Sequence, residues 1–368
     1  APMKIMHFLN HAHKANGHVE LAVDLACEQA AQGHRVVFLS GPGDFGDCLR
    51  RNGVEFIGFP EGSKLLRPLR MGWALMTACR RHVPDVVNAH MVAAALVARA
   101  VEPLFSYFLV TTVHNSFDRQ SRLMGVGDRV IAVSDAVNEE MRGKGIRAEK
   151  LRTVRNGTIG GRRRAFMPQE EAELKHPAVA TVAGLHGRKG VDIVIDAFLA
   201  ASKSVPDAHL YIVGEGPSRP ALERRAEASD NAGNIHFLGH MQDPRTVLAS
   251  AEIFVLASRA EPFGLVLLEA RQMGCACIGS DVGGIPEVLE FGSAGRLVPP
   301  ENVTALAEAL AGLLLDAASR NSLAHAATEG LDAFTVKRMA DETLSVYAES
   351  RKRPHRNSSG GAQLRFRG

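Results

Sequence analysis

Short apolar runs alternate with stretches of helical periodicity along the first 150 or so residues of the chain. The run at residues 4–9 is followed by apolar positions spaced three to four apart over 18–32, and then by a second short run at 36–39. Alternating buried strands and amphipathic helices are typical of a doubly wound parallel sheet. We therefore predict a Rossmann-like α/β domain over residues 1–160.

Three later runs of the same region end in a polar side chain. They cover residues 85–90, 109–114 and 129–134, and they end in His90, His114 and Ser134. Because ligands bind at the carboxyl ends of parallel strands, we expect these three side chains to face one crevice. For His114 the alternative is a histidine that is only a hydrogen-bonded core residue.

A break in the pattern separates this region from a second, similar one. Residues 156–169 contain three glycines, three arginines and Pro168, which is typical of a linker. Beyond the linker, short apolar runs between residues 179 and 298 predict a second parallel sheet. We predict a second Rossmann-like domain over 165–333, a C-terminal helix at about 334–350, and a disordered tail over 351–368 that is rich in Arg, Ser and Gly.

Composition narrows the classes of protein to consider. The chain has 368 residues, 46% of them apolar and 23% charged, which suits two globular domains. A net charge of +3 gives no reason to expect a nucleic acid partner. Five scattered cysteines and the lack of an apolar leader favour the cytoplasm. The apolar stretch at 91–113 is interrupted by Arg99, Glu102 and Pro103, so we do not expect it to span a membrane.

The most informative segment is Glu261-Pro-Phe-Gly-Leu-Val-Leu-Leu-Glu269. It predicts a loop that becomes a helix, with Glu261 before the helix and Glu269 about two turns inside it. Gly264 lets the backbone approach a ligand closely. The backbone N–H groups of Phe263, Gly264 and Leu265 would lie at the helix N-terminus, where anions bind readily.

The spacing of these two glutamates resembles the E-x7-E signature of retaining GT-B glycosyltransferases of family 4, the group 1 glycosyl transferases. The residues around it, Ala257–Leu265 and Gly283–Glu287, are similar to that family too, and the resemblance extends from Lys4 to about Tyr347. It implies two Rossmann-like domains facing across a cleft, with the C-terminal helix crossing back to the first domain. It also implies transfer of a sugar, with retention, from a UDP- or GDP-sugar to an acceptor hydroxyl.

The resemblance also assigns roles to residues. It implies that Glu261 grips the donor sugar, that His114 lies near the reacting sugar, and that Lys189 holds the diphosphate, so these three are the expected catalytic residues. The acceptor-binding residues stay unknown. The expected donor-binding residues are Gly17, Arg188, Lys189, Met241, Glu261, Phe263, Gly264, Leu265 and Glu269. The alternative for Glu269 is a surface carboxylate paired with a cation such as Arg271.

One departure from the family leaves alternatives open. Gly184 stands where the family has an arginine, five positions before Lys189, so Arg188 or His186 would have to replace its charge. Gly184 favours the alternative of a non-catalytic protein that binds sugar nucleotides or serves envelope assembly. A GT-B sugar-nucleotide epimerase is a third hypothesis, against which the paired glutamates argue. No Asp-x-Asp pair occurs in the sequence, so we expect no metal and no other cofactor.

A basic amphipathic segment lies at residues 63–82. It combines Lys64, Arg67, Arg70, Arg80 and Arg81 with Leu65, Leu66, Leu69, Trp73 and Leu75. Such a segment can lie in a membrane interface, or it can be an ordinary surface helix with an apolar stripe toward the core. Together with the basic tail, it leads us to expect weak association with an anionic membrane surface, at the inner face. The two features also lead us to expect a saccharide or lipid-linked acceptor, in the synthesis of cell-envelope polysaccharide, lipopolysaccharide or glycolipid.

Overall fold

The computed structural model describes residues 2–352, apart from 15, 61, 62, 64, 165–169 and 230. Within this part of the chain the first domain contains a seven-stranded sheet in which every neighbouring pair of strands is parallel. The strand order is β3-β2-β1-β4-β5-β6-β7. Its strands are β1 Lys4–Leu9, β2 Arg35–Ser40, β3 Glu55–Gly58, β4 Val86–Ala89, β5 Phe108–Val113, β6 Arg129–Ala132 and β7 Leu151–Thr153.

The second domain repeats this arrangement with a six-stranded parallel sheet, counted over the same described residues. Its order is β10-β9-β8-β11-β12-β13, which is the strand order 3-2-1-4-5-6 of the Rossmann fold. The strands are β8 Ala178–Val182, β9 His209–Val213, β10 Ile235–Gly239, β11 Ile253–Leu256, β12 Ala276–Ser280 and β13 Arg296–Val298.

Helices cover both faces of each sheet, which is why the central strands are buried; all six residues of β5 are buried, for example. The helices of the first domain are α1 Gly17–Ala31, α2 Gly46–Arg51, α3 Arg67–His82, α4 Val92–Val101 and α5 Asp135–Gly143. Those that follow are α6 Val191–Ala201, α7 Arg219–Glu227, α8 Arg245–Ser250, α9 Leu265–Gln272, α10 Ile285–Val288, α11 Val303–Leu315, α12 Ala317–Thr328 and α13 Val336–Ala348.

The last helix, α13, packs on the first domain. Val336, Met339 and Tyr347 are buried in the same hydrophobic cluster as residues of α1 and β1. Asn88 Nδ2 at the end of β4 donates a hydrogen bond of 2.6 Å to the Tyr347 hydroxyl. The predicted fold class, two doubly wound domains with a C-terminal helix crossing back to the first, is therefore confirmed.

Strands β3 and β7 and helix α12 are among the elements that the sequence analysis did not predict. The edge strand β3 has no fully buried residue, and β7 has only three residues, so neither shows an apolar run. Helix α12 buries a single residue, Ala327, and so lacks an apolar stripe. In the predicted linker, Arg162–Arg164 forms a short 3-10 helix, whereas Pro168 lies outside the described residues.

Parts of the two predicted membrane-facing regions, the basic segment and the tail, lie outside the described residues. Lys64 and residues 353–368 of the predicted tail lie outside the described residues. None of the helices in the described part of the chain combines the length and the apolarity needed to cross a bilayer.

Candidate active site

The N-termini of α1 and α9 face each other across the cleft between the two domains. Gly17 is the first residue of α1, and a Cβ atom built on it would lie 2.9 Å from Cδ1 of Leu265, the first residue of α9. Leu265 contacts hydrophobic clusters of both domains. Two of the predicted donor-binding residues are therefore brought together from opposite walls of the cleft.

Lys189 and Glu261 form an ion pair on the second-domain wall. Lys189 Nζ lies 2.5 Å from Glu261 Oε2, and the side chains are only 19% and 9% exposed. The Ser258 hydroxyl donates to the same carboxylate oxygen at 3.2 Å. Gly190, at φ 64°, lets the lysine turn approach β11, since a Cβ there would lie 1.9 Å from the Ala257 carbonyl oxygen. The two loops thus hold this charged pair in a fixed position, largely shielded from water.

The start of α9 lies directly after Glu261. Gly264 adopts φ 101° and ψ 56°, which turns the chain into the helix. Within the described residues, no acceptor meets the backbone N–H groups of Phe263, Gly264 and Leu265. These N–H groups lie at the positive end of the helix dipole, beside the carboxylate of Glu261.

Arg188 reaches toward the first domain. Its Nη1 donates to the Ala260 carbonyl at 3.0 Å, and its guanidinium lies 4.7 Å from the centre of the Phe117 ring. The turn that carries it is braced by Arg259, whose backbone N–H donates to the Arg188 carbonyl at 2.8 Å. The Arg259 guanidinium binds both Asp192 carboxylate oxygens, at 2.9 and 2.7 Å, and these bonds lower the pKa of Asp192. Arg188 and Lys189 are thus presented by a turn that is held in place before any ligand arrives.

The position of the missing family arginine lies beside His186. A Cβ atom built on Gly184 would lie 3.1 Å from Cδ2 and 3.3 Å from Nε2 of His186. The imidazole therefore occupies the space next to Gly184, and His186 is exposed to solvent. Of the two residues expected to replace the charge of the missing arginine, His186 is the one that lies next to Gly184.

Glu269 is half-buried on α9. Arg271 is fully buried and donates to the carbonyls of Ala327, Val288 and Glu329 and to the carboxylate of Glu290. If Glu269 is a carboxylate paired with a cation, that cation is therefore not Arg271.

Arg245 is a cation whose pKa Glu269 influences. The pKa of Arg245 is raised chiefly by the hydrogen bonds that its guanidinium donates to Asp243, and also by the charge of Glu269. Met241, the remaining donor-binding candidate, is half-buried and packs on the hydrophobic cluster of α8 and α9.

The first-domain wall carries histidines instead of charged pairs. His114 Nε2 lies 3.0 Å from His90 Nδ1, and the His18 ring at the start of α1 lies 5.8 Å from the His114 ring. Burial lowers the pKa of His114 to about 3 and that of His18 to about 4. His114 is therefore hydrogen-bonded, as the core alternative requires, and it also borders the cleft as a neutral imidazole.

Contacts between the domains involve Ser134, which was expected to face the crevice, and Glu287, to which the sequence analysis gave no role. The Ser134 hydroxyl donates to the Pro262 carbonyl at 2.7 Å, next to Glu261. The Glu287 carboxylate accepts hydrogen bonds of 3.0 Å from the backbone N–H groups of Asp135 and Ala136, at the start of α5. Glu287 stands in the Gly283–Glu287 motif, but nothing in the sequence indicates that its partner is a helix of the other domain.

Within the described residues, no three His, Cys, Asp or Glu side chains are grouped so that they could hold a metal ion.

Two family models match the chain, one for each domain. The family described as Glycosyltransferase Family 4 matches residues 15–158, and Glycosyl transferases group 1 matches residues 162–330. Together they cover both walls of the cleft.

Curated relatives agree with this assignment. The glycogen synthase of Mycobacterium tuberculosis is 30% identical over 296 residues, which is 73% of this chain and 70% of that protein. The lipopolysaccharide core biosynthesis glycosyltransferase LpsE of Rhizobium meliloti is 26% identical over 292 residues, 77% of this chain and 81% of that protein.

Solved structures share the fold. HepE from Anabaena, in complex with UDP and glucose, has a TM-score of 0.79 at 20% identity and covers 94% of this chain and 100% of its own. WaaG, a glycosyltransferase involved in lipopolysaccharide biosynthesis, has a TM-score of 0.73 at 17% identity, with 93% and 99% covered. On the sequence matches, supported by this common fold, the chain belongs to the group 1 glycosyltransferases.

Proposed function

We propose that the chain is a retaining, metal-independent glycosyltransferase that moves a sugar from a UDP- or GDP-sugar to an acceptor hydroxyl. The observation that carries the proposal is the Lys189–Glu261 pair, which lies beside the N–H groups that open α9 and that have no acceptor within the described residues. A nucleotide diphosphate leaves with negative charge, and a cation and helix N-terminus placed together can stabilise that charge. The complexes of HepE with UDP and with UDP-glucose support a nucleotide-sugar donor.

Each side chain has a defined task in this proposal. Lys189 and the N–H groups of residues 263–265 bind the diphosphate, while the Glu261 carboxylate binds sugar hydroxyls and steadies positive charge at the anomeric carbon. Glu269 accepts hydrogen bonds from the ribose hydroxyls. His114 binds the sugar from the opposite wall. The acceptor hydroxyl attacks from the face that the diphosphate leaves, so the configuration at the anomeric carbon is retained.

The diphosphate assignment is tested by Lys189→Ala, with Lys203→Ala as the matched control because Lys203 is an exposed lysine of the same domain. We expect Lys189→Ala to weaken the binding of UDP or GDP by about tenfold or more, the usual effect of losing a charge-assisted hydrogen bond. Titration calorimetry of both variants measures this. Equal nucleotide affinity in the two variants would remove Lys189 from the diphosphate site.

Metal independence and retention are tested by a transfer assay. Purified protein is incubated with UDP-sugars and GDP-sugars and with saccharide acceptors, with and without EDTA, and the anomeric proton of the product is followed by NMR. We expect one nucleotide family to serve as donor, a rate unchanged by EDTA, and a product with the donor's anomeric configuration. Inversion, or loss of activity with EDTA that added Mg²⁺ or Mn²⁺ restores, contradicts the corresponding part of the proposal.

Gly184 is the observation that favours the second candidate, a non-catalytic protein that binds sugar nucleotides. In our proposal His186, adjacent to Gly184, contributes to the diphosphate site together with Arg188. A thermal shift with UDP or GDP but no transfer to any acceptor tested would favour the non-catalytic candidate. Gly184→Arg would then be the variant to examine for a gain of activity.

For the acceptor, we propose a saccharide or lipid-linked molecule at an anionic membrane surface, in the synthesis of envelope polysaccharide, lipopolysaccharide or glycolipid. The support comes from α3 and the residues before it. Met71, Leu75 and Cys79 turn toward the core, whereas Leu65, Leu69 and Trp73 are 87%, 71% and 67% exposed. Exposed apolar groups next to arginines favour binding to anionic lipid.

Co-sedimentation with vesicles tests this surface. We expect Leu69→Ser with Trp73→Ser to reduce binding to vesicles that contain phosphatidylglycerol, and we expect salt to weaken the binding of the parent protein. The control is Leu315→Ser, because Leu315 is 65% exposed on the second domain. Binding that depends on neither salt nor these two residues would contradict the assignment of this surface.

A further inference from the structure

A row of hydrogen-bonded side chains runs from the core of the first domain to His114. It begins at Gln29 on α1, whose Oε1 lies 2.8 Å from His7 Nε2. His7 Nδ1 then lies 2.9 Å from His90 Nε2. His90 Nδ1 in turn lies 3.0 Å from His114 Nε2. Gln29 and His7 are fully buried and His90 is 3% exposed, so water does not compete for these bonds.

All three imidazoles are neutral near pH 7. Burial lowers the pKa of His7 to about 4 and that of His114 to about 3, and it lowers the pKa of His90 well below its ordinary value. A neutral imidazole has one nitrogen that donates and one that accepts. The tautomers along the row are therefore coupled, because each ring can donate in only one direction.

The amide oxygen of Gln29 sets that direction. Since Oε1 can only accept, His7 carries its proton on Nε2 and accepts at Nδ1. His90 then donates from Nε2 to His7 and accepts at Nδ1. His114 must donate from Nε2 to His90, which leaves a lone pair on His114 Nδ1. This Nδ1 is shielded from solvent and has no partner within the described residues.

We propose that Gln29, His7 and His90 are positioning residues that hold His114 as the Nε2–H tautomer, so that its Nδ1 accepts a hydrogen bond from a hydroxyl of the transferred sugar. The inference rests on the proposed function, which places His114 at the sugar. It adds that residues deep in the first domain determine the donor or acceptor character of the first-domain wall.

The proposed row of hydrogen bonds fixes the tautomer of His114 without giving the imidazole a charge. An unrestrained histidine exchanges its proton between the two ring nitrogens, so that Nδ1 would be an acceptor for only part of the time. A fixed tautomer offers the sugar an acceptor at all times. A neutral acceptor also adds no negative charge near the diphosphate, which a carboxylate in this position would do.

Nitrogen NMR of the protein labelled with ¹⁵N at its histidines gives a direct test. We expect His114 to show a protonated Nε2 and a bare Nδ1, and we expect the Nδ1 resonance to move on addition of UDP-sugar but not of UDP. Protonated Nδ1 in the parent protein, or a resonance that responds equally to UDP alone, overturns the proposal. The resonances are assigned from the variants described next.

Kinetics of three variants give a second test. His90→Gln keeps a donor for His7 and an acceptor for His114, whereas His90→Phe keeps neither. We expect His90→Phe to lower kcat/KM for the donor sugar by about tenfold, the usual effect of one lost hydrogen bond, and His90→Gln to recover most of it. Gln29→Met should let His114 adopt both neutral tautomers, although the side chain of residue 29 lies far from the cleft. The affinity for UDP should stay within about twofold in all three.

The matched control is His236→Phe in the second domain, where His236 Nε2 lies 3.0 Å from His209 Nδ1 and the rings are also stacked. Its loss should leave kcat/KM unchanged. Equal activity of His90→Gln and His90→Phe, with folding and UDP affinity intact, overturns the positioning role. Lack of transfer by the parent protein with every donor would instead contradict the proposed function, so that the two failures are distinguishable.

Discussion

The two walls of the cleft differ in their electrostatics. On the second-domain wall, Lys189 and Glu261 lie 2.5 Å apart as a charged pair, and Arg188 is close by. On the first-domain wall, His114 and His90 are neutral because burial lowers their pKa values. The difference matches the two ends of a sugar nucleotide, since a departing diphosphate requires charge whereas sugar hydroxyls require ordered neutral partners.

Replacing Glu261 should have the largest effect, because it removes the negative charge of the Lys189–Glu261 pair. Glu261→Gln keeps the shape of the side chain but leaves Lys189 without its anion and the anomeric carbon without a carboxylate. We expect the transfer rate to fall by about 10²–10³-fold, as for loss of one preorganised electrostatic group. The measurement is kcat at saturating donor, with thermal unfolding as the check on folding.

The matched control is Glu223→Gln, a carboxylate that pairs with Arg219 at 2.7 Å on α7, outside the cleft. It should leave kcat within about twofold of the parent, since exposed ion pairs contribute little. If Glu261→Gln unfolds the protein, or transfers as fast as Glu223→Gln, the difference between the two walls has no catalytic meaning.

Acid should affect the two domains unequally. Each neutral buried histidine has a folded-state pKa below its unfolded value, so its contribution to stability is present above about pH 6.5 and is lost as the pH falls toward the folded pKa. For His7, a pKa lowered from 6.5 to about 4 corresponds to roughly 2 kcal/mol lost by pH 5. Asp24 acts in the opposite direction because burial raises its pKa.

Hydrogen exchange measured strand by strand between pH 7.5 and 5 tests this difference. Among the described residues, the second domain has only the pair His209–His236 with pKa values lowered in this way, against four histidines in the first. After correction for intrinsic rates, β1, β4 and β5 should lose protection before β8, β9 and β11. Simultaneous loss in both sheets would show that the neutral histidines are not what weakens the first domain.

The sequence predicted the charged wall better than the neutral one. Lys189 and Glu261 stand in the short motifs that carry the family resemblance, in the loops that follow β8 and β11. His90 and His114 were predicted to face the crevice because each ends a predicted strand. His7, however, lies inside β1 and reads as an ordinary core position, and its bond to Gln29 depends on how α1 packs on the sheet.

Glu287 shows what local pattern cannot supply. Its motif was recognised, but its partners are the first N–H groups of α5, some 150 residues earlier in the chain and in the other domain. Such a contact depends on how the two domains sit together. No periodicity or spacing within either domain encodes it.

A smaller expected effect comes from weakening this contact between the walls. Glu287→Gln removes the charge that faces the α5 N-terminus and the Arg155 guanidinium, 2.8 Å away. We expect a loss of about 1.5–3 kcal/mol in unfolding free energy, the usual range for hydrogen bonds to a charged group. Urea unfolding measures it, and Glu139→Gln on the exposed side of α5 serves as control. Equal stability of the two variants would mean that Glu287 does not join the domains.

The smallest effect is expected from replacing Gly17, at the point where the first-domain wall contacts Leu265 of the second domain. In Gly17→Ala the new methyl group would lie 2.9 Å from Leu265 Cδ1, the movable end of a side chain, so the cleft should adjust at a modest cost. We expect kcat/KM to fall about threefold, a loss of less than 1 kcal/mol, while the unfolding free energy stays level or rises, because alanine is favoured over glycine in a helix by about 0.5–1 kcal/mol.

A double-mutant cycle with Leu265→Val decides why Gly17 is needed. If the methyl group interferes with Leu265, shortening that side chain should restore kcat/KM in the double variant, and the two changes should not be additive. If Gly17 instead lets the backbone approach a donor phosphate, shortening Leu265 should restore nothing and the changes should add. The first result would mean that the neutral wall acts on the charged wall through apolar contact, and the second that both walls bind the same diphosphate.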